Sequence, residues 1–361
     1  MIDRIRALSL VAATAGSLVV GCKTSQPIQG CGVPASFSWS SSPVLLSPIS
    51  DATHDLVSIK DPSVVFYNNQ WYVFVSTVSA SGSYSMAYIT FPDWDHTTPP
   101  DATIYYLDQT PTLQGYHAAP QIFFFRPQNK WYLVFQSGPP QYSTNDDITN
   151  PAGWTQPQSF YASEPATVTQ NKGASGGWLD FWVICDNTNC YLFFSDDAGH
   201  WYRAKTAATD FPAGFGEPDV VLRDDTNPTS LYEASNVYRM IGIDKYLAII
   251  EGFDASSNYK RYFRSWTADT LDGDWTPLQD TFAAPFASTA NVTFMQTPPW
   301  TADISHGEMI RFGFDQFMTV DQCHLQYVYQ GVDPTMTGLP YNSLPWRLGL
   351  LTTASPPPPP P

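Results

Sequence analysis

Four stretches of this 361-residue chain repeat, at residues 68–75, 128–135, 187–194 and 242–249. Each is a turn followed by a β-rich run, and their tyrosines fall at Tyr72, Tyr132, Tyr191 and Tyr246, in steps of 60, 59 and 55 residues. A recurring period of this kind marks one supersecondary unit used several times. A second β-rich run precedes each turn, at 61–67, 121–125, 181–185 and 236–241. Turn residues separate the paired runs, and no stretch carries helical periodicity. A less similar fifth pair is read at 309–314 and 323–329. Five antiparallel units predict an all-β fold, a five-bladed β-propeller, whose closure leaves no sheet edge exposed.

Acidic residues head three of the repeats. Asp61 stands 11 residues before Tyr72, Asp180 stands 11 before Tyr191, and Glu233 stands 13 before Tyr246. In a propeller the first strand of each blade lines the axis, so a shared register means a shared radial position. The matching position falls near Pro120 and Gln121 in the second unit, and near His306 and Glu308 in the fifth. One Asp ahead of a strand is an ordinary turn residue. Three in register predict carboxylates gathered at one mouth of the channel. Glycosidic bond hydrolysis needs two carboxyl groups, an acid for the leaving oxygen and a base or nucleophile. A third nearby would hold a proton on the acid by like-charge repulsion.

The formal charge is −16, with 14% charged and 15% aromatic residues and no basic cluster. Phosphate binding needs a positive surface, so a nucleic-acid partner is excluded. A neutral polysaccharide suits this composition, although most of the aromatics are expected to pack between sheets.

Residues 1–22 read as an export signal, with Arg4 and Arg6 ahead of a short apolar run from Ala7 to Val20. The run ends in Val19-Val20-Gly21-Cys22, which looks like a bacterial lipoprotein signal with a lipid anchor at Cys22; the alternative is an ordinary cleaved leader. Either reading places the protein outside the cell, secreted or anchored to its outer surface. Residues 23–30 form a short linker, 31–353 the catalytic domain, and 354–361 a proline-rich tail that is a polyproline II spacer. With Cys22 set aside, four cysteines remain to pair. Cys185 and Cys190 flank the turn-forming Asp186-Asn187-Thr188-Asn189, which predicts a disulfide across a hairpin. Cys31 and Cys323 would then join the start of the ring to its end.

Several segments occur together in order: Ile59-Lys60-Asp61, Trp178-Leu179-Asp180-Phe181-Trp182, Leu231-Tyr232-Glu233-Ala234-Ser235, Arg261-Tyr262-Phe263-Arg264-Ser265-Trp266, Ser305-His306-Gly307-Glu308-Met309-Ile310-Arg311, Tyr329-Gln330-Gly331 and Leu344-Pro345-Trp346-Arg347. The set resembles glycoside hydrolase family 62, the α-L-arabinofuranosidases that act on arabinoxylan. The resemblance covers residues 31–353. It implies a five-bladed propeller and an exo-acting, inverting reaction that removes arabinofuranosyl side groups. Asp61 would be the general base, Glu233 the general acid, and Asp180 the group that tunes Glu233. Inversion implies a separation of roughly 6.5–9.5 Å between Asp61 and Glu233. Lys60, Tyr329 and Arg311 would contact substrate. His306 would help hold a structural calcium ion at the axis through water, or serve as a core histidine. The chemistry itself would require no cofactor, and the enzyme would act as a monomer.

The sequence departs from the family pattern at two places. Pro62 follows Asp61 where a larger apolar residue is common, and Ser137 occupies a loop position where some members carry a tryptophan. Asp186, Asp196 and Asp197 read as turn and surface acids. The competing readings are a neighbouring propeller glycosidase (an arabinanase or a β-xylosidase) and a glycan-binding propeller without catalysis.

Overall fold

The computed structural model describes residues 31–174, 176–254, 260–336 and 338–353. The leader, linker, Cys22 and proline-rich tail lie outside them.

Five sheets form the five blades. Blade I begins on the axis with Leu56–Tyr67, followed outward by Gln70–Ser79, Tyr84–Phe91 and Thr103–Tyr106. The innermost strands of blades II, III and IV are Ala118–Phe125, Leu179–Cys185 and Glu233–Met240. Blade V starts at Ser305–Met309, and its next strand is Gln326–Gly331. The fifth pair read from the sequence is therefore displaced. Residues after Met309 leave the blade, and Phe124 and Cys185 each donate a backbone hydrogen bond to this segment, at Phe314 and Gln316. The excursion closes the far end of the axis.

Blade V is completed from the other end of the chain. Trp39–Ser41 pairs antiparallel with Arg347–Thr352, placing Ser40 opposite Thr352. Both expected disulfides are present. Cys31–Cys323 ties residues 292 apart, and Cys185–Cys190 bridges the blade III hairpin.

The blades are stitched by side chains near the axis. The Ile122 N–H donates to Ser63 Oγ at 3.0 Å, and Gln121 exchanges two 2.8 Å bonds with the Val183 backbone. The Trp182 indole donates to Val237 O at 2.9 Å, and the Met309 N–H donates to Tyr238 Oη at 2.9 Å. The Val64 N–H donates to Glu308 Oε2 at 3.1 Å, closing the circle from blade V to blade I. Between blades the core is aromatic. Trp39, Trp131 and Trp201 are all but sealed from solvent, filling the wedge-shaped gaps that smaller side chains would leave open.

Candidate active site

Each innermost strand breaks its ladder at the same depth. The register shifts lie between Lys60 and Ser63, Ala118 and Gln121, Leu179 and Trp182, Glu233 and Asn236, and Ser305 and Gly307. In four of the five a non-glycine residue sits in the left-handed region: Asp61 at φ 52°, Ala119 at 50°, Asp180 at 55° and Ala234 at 55°. A bulge of this kind re-aims a side chain at some backbone cost and is favoured next to functional sites. His306 is the residue skipped in blade V.

The axial positions are thus Asp61, Ala119, Asp180, Ala234 and His306. Two expectations from spacing are corrected. The blade II position is Ala119, not Pro120 or Gln121. Its hairpin is two residues longer, since Phe123 pairs with Tyr132 across nine positions where Val65 pairs with Tyr72 across seven. Glu233 is one residue ahead of the shared register. The blade IV hairpin is also longer, and Leu247, not Tyr246, stands where the other tyrosines stand.

Asp61, Asp180 and Glu233 nevertheless line one cavity of about 290 Å³, together with Lys60, His306, Gln136 and Tyr341. His306 Nδ1 lies 3.2 Å from Asp61 Oδ1 and 3.7 Å from Asp180 Oδ2. Lys60 Nζ lies 3.7 Å from Asp61 Oδ1 and donates to Tyr341 Oη at 2.8 Å. Burial works against ionising Asp61, but Lys60 and His306 outweigh it and hold the carboxyl well below the usual carboxylate range. Burial would also neutralise His306; Asp180 and Asp61 prevail and push it up to about 9. Asp180 moves the other way. Burial, then the charges of Glu233 and Asp61, push it up to about 6 against the pull of His306. Its Oδ2 accepts the Ala234 N–H at 2.8 Å, and its own N–H donates to Gln136 Oε1 at 3.2 Å.

Arg261 Nη1 reaches Glu233 Oε1 at 2.5 Å and Glu251 Oε1 at 2.7 Å. Glu251, fully sealed from solvent, also accepts from Ser305 Oγ at 2.9 Å and from the His306 N–H at 3.0 Å. Burial, with Glu233 adding to it against Arg261, pushes Glu251 up to about 7. Arg261, Glu251 and Tyr341 escaped the sequence reading. Arg261 lies inside a quoted segment without a distinguishing role, and nothing local marks Glu251, one of two acids in the strand Tyr246–Asp254.

Three expected positions fall elsewhere. Tyr329 is 0% exposed; its hydroxyl shares a 2.6 Å hydrogen bond with Ser41 Oγ, and its ring packs 5.4 Å from Trp300. It is a core tyrosine between strands of blade V; the aromatics at the pocket are Tyr84, Tyr116 and Tyr341, the last 42% exposed. Arg311 pairs with Glu308 at 2.5 Å and donates to the carbonyls of Val64 and Ile122 at 3.0 and 2.7 Å. Its donors serve the joints between blades and not the pocket. Asp197 is the reverse case, an expected surface acid with a buried Oδ1. Burial and the charges of Glu233, Asp180 and Asp196 push it up to about 9, so it belongs electrostatically to the site.

The axial calcium finds no support. Among the described residues no group of three or more His, Cys, Asp or Glu is placed to hold an ion.

A one-ring pocket at a propeller mouth, walled by several carboxylates in distinct protonation environments, defines a glycoside hydrolase that works by acid–base chemistry. Residues 38–352 match glycosyl hydrolase family 62, and the chain belongs to that family. It is 41% identical over 327 residues to α-L-arabinofuranosidase C of Cellvibrio japonicus, covering 90% of this chain and 48% of that one. The chain thus spans about half the length of this curated relative. The catalytic domain of the Coprinopsis cinerea family 62 α-L-arabinofuranosidase superposes with a TM-score of 0.84 at 49% identity, covering 89% of this chain and 98% of that one. A family 62 hydrolase solved in complex with xylotriose superposes with a TM-score of 0.83 at 44% identity, covering 90% and 99%.

Proposed function

We propose that this protein is an exo-acting, inverting α-L-arabinofuranosidase that removes arabinofuranosyl side groups from arabinoxylan. The observation that carries the reading is the asymmetry among three acids in one pocket. Asp61 is held ionised by Lys60 and His306, as a base must be. Glu233 faces the same cavity from the opposite side of the ring, between the Arg261 guanidinium and the carboxylates of Asp180, Glu251 and Asp197. In this reading Asp61 takes a proton from water as that water attacks the anomeric carbon. Glu233 gives its proton to the departing oxygen of the xylose residue. Asp180 orients the sugar and shapes the field at Glu233, and Lys60 and Tyr341 contact its hydroxyls. Solvent restores both protonation states after each turnover.

The relatives support the substrate class. Two are described as α-L-arabinofuranosidases, and a third was solved with xylotriose, an unbranched piece of the xylan main chain. An extracellular location follows from such a polymeric substrate and from the leader-like residues 1–22, with Cys22 as the lipid attachment point; mass spectrometry of the mature N-terminus tests it. No helix among the described residues is long and apolar enough to cross a membrane. NMR of the sugar released from wheat arabinoxylan tests the reaction. Arabinose with inverted anomeric configuration is expected at the earliest times. Retained configuration, or release of xylose instead, would reject the proposal.

A further inference from the structure

The five axial bulges share more than a depth. A bulge takes its residue out of the ladder, so the buried N–H of that residue needs another acceptor. In every blade the acceptor is a side chain reaching across from the preceding blade. The Asp61 N–H donates to Gln330 Oε1 at 2.7 Å, and the Ala119 N–H to Ser76 Oγ at 2.8 Å. The Asp180 N–H donates to Gln136 Oε1 at 3.2 Å, the Ala234 N–H to Asp180 Oδ2 at 2.8 Å, and the His306 N–H to Glu251 Oε2 at 3.0 Å.

Four of these acceptors occupy one position of the repeat. Ser76, Gln136, Glu251 and Gln330 lie on the second strand of their blades, opposite Lys60, Ala118, Glu233 and Ser305, the residues just ahead of the bulges. Blade III is the exception. Ser195 stands at that position, opposite Leu179, and its buried Oγ has no hydrogen-bond partner among the described residues. The Asp180 carboxylate takes the Ala234 N–H in its place. The bulges are thus held from outside their own strands, by one side chain each.

Gln330 serves the bulge that carries the base. It is buried, and its amide is held at both ends, because Nε2 donates to Ser305 Oγ at 3.0 Å. Ser305 Oγ donates in turn to Glu251 Oε1 at 2.9 Å, and Arg261 Nη1 joins Glu251 Oε1 to Glu233 Oε1. The amide cannot turn without leaving a buried donor or acceptor unpaired. We propose that Gln330 is a positioning residue for the reaction: from blade V it fixes the backbone of Asp61, and with it the direction of the carboxylate that activates water. The inference rests on the arabinofuranosidase reading above, in which Asp61 is the base. The φ of 52° at Asp61 is a costly conformation for a residue with a side chain, and it persists only while its surroundings hold it. A displacement of about 1 Å at a reacting group is worth about a hundredfold in rate.

The test uses Gln330→Met, which fills nearly the same space and removes the acceptor. kcat and KM are measured on arabinoxylan and on a dinitrophenyl arabinofuranoside, whose leaving group departs without an acid but whose hydrolysis still needs the base. kcat is expected to fall about tenfold to a hundredfold on both substrates, with KM within about twofold. Tyr329→Phe is the control for lost stability. It breaks a buried hydrogen bond to Ser41 in the same strand and is expected to leave kcat unchanged. Should Gln330→Met fail to fold, Gln330→Asn, whose acceptor is withdrawn by one methylene, is measured in the same way. An unchanged kcat in a folded Gln330 variant overturns the proposal. So does a loss confined to arabinoxylan, which would place the damage at the acid, and so does an equal loss in Tyr329→Phe, which would make stability the cause. Failure of the unsubstituted enzyme to release arabinose from either substrate would reject the underlying reading instead.

Discussion

Asp61 and Glu233 do different work, and the difference is measurable. Either Asp61→Asn or Glu233→Gln is expected to lower kcat on arabinoxylan by about 10²–10⁴-fold, the usual worth of a general acid or base. The two separate on a substrate with a good leaving group, such as a dinitrophenyl arabinofuranoside. That group departs without help from an acid, so Glu233→Gln should regain most of its rate there and Asp61→Asn should not. Equal loss in both variants would overturn the assigned roles. A second contrast tests which tyrosine meets the sugar. Tyr341→Phe removes the acceptor of the Lys60 bond and should raise KM, whereas Tyr329→Phe removes a buried bond to Ser41 and should cost about 1 kcal/mol of stability while leaving KM alone. Steady-state kinetics beside urea unfolding distinguish the two. The acids were legible in the sequence because each heads a repeat. Arg261 and Glu251 were not, because pairing between adjacent strands brings them together at Glu233 and neither carries a mark of its own.

The innermost strand is the element that turns a fold into a site. Its bulge appears in all five blades, and spacing from the hairpin tyrosines finds it only where the turn keeps its length. Blades I and III keep it, so Asp61 and Asp180 were placed correctly from counting alone. Blade II inserts the turn at Arg126–Gln128 and blade IV a longer turn of its own, which shifts Ala119 and Glu233 out of count. Tyr329 and Arg311 misled for a related reason: a motif reports that a residue matters, and not whether its side chain faces the pocket or the next blade. The hairpins make a prediction about cross-links. The Cys185–Cys190 bridge closes a loop of only 5 positions and the Cys31–Cys323 bridge one of 292. In the loop-entropy account the longer bridge is worth more, on the order of 5 kcal/mol. Replacing Cys31 and Cys323 by serine should therefore lower Tm clearly more than replacing Cys185 and Cys190, as calorimetry would show. The opposite order would mean that the ring is held by its blades alone.

At the scale of the molecule, the buried charges around the pocket tie stability to pH. Asp180, Glu251 and Asp197 rise to about 6, 7 and 9, and His306 rises to about 9. All four hold protons in the folded protein that the unfolded chain releases at lower pH. Asp180 gives up its extra proton by about pH 6; between about pH 6 and 9 the folded state still holds extra protons on Glu251, Asp197 and His306, and stability must fall as pH rises through that window. His306 contributes its full share below its unfolded value of 6.5 and loses it as pH passes about 9. Thermal melting should show Tm declining from pH 6 to 9, and Asp197→Asn should flatten the slope. A Tm that climbs over the same range would contradict the arrangement of charges. The closed ring itself was readable from the repeat and from cysteine parity. The contribution of Trp39–Ser41 to blade V was not, because three residues are too few to show a pattern.

That shared blade has a consequence for engineering. Trp39–Ser41 and Arg347–Thr352 are already neighbours in one sheet, so a short peptide could splice the two extremities together. New termini opened in a loop between blades on the face away from the pocket would then yield a circularly permuted enzyme. Such a permutant would keep every strand partner while beginning and ending at a place of the experimenter's choosing.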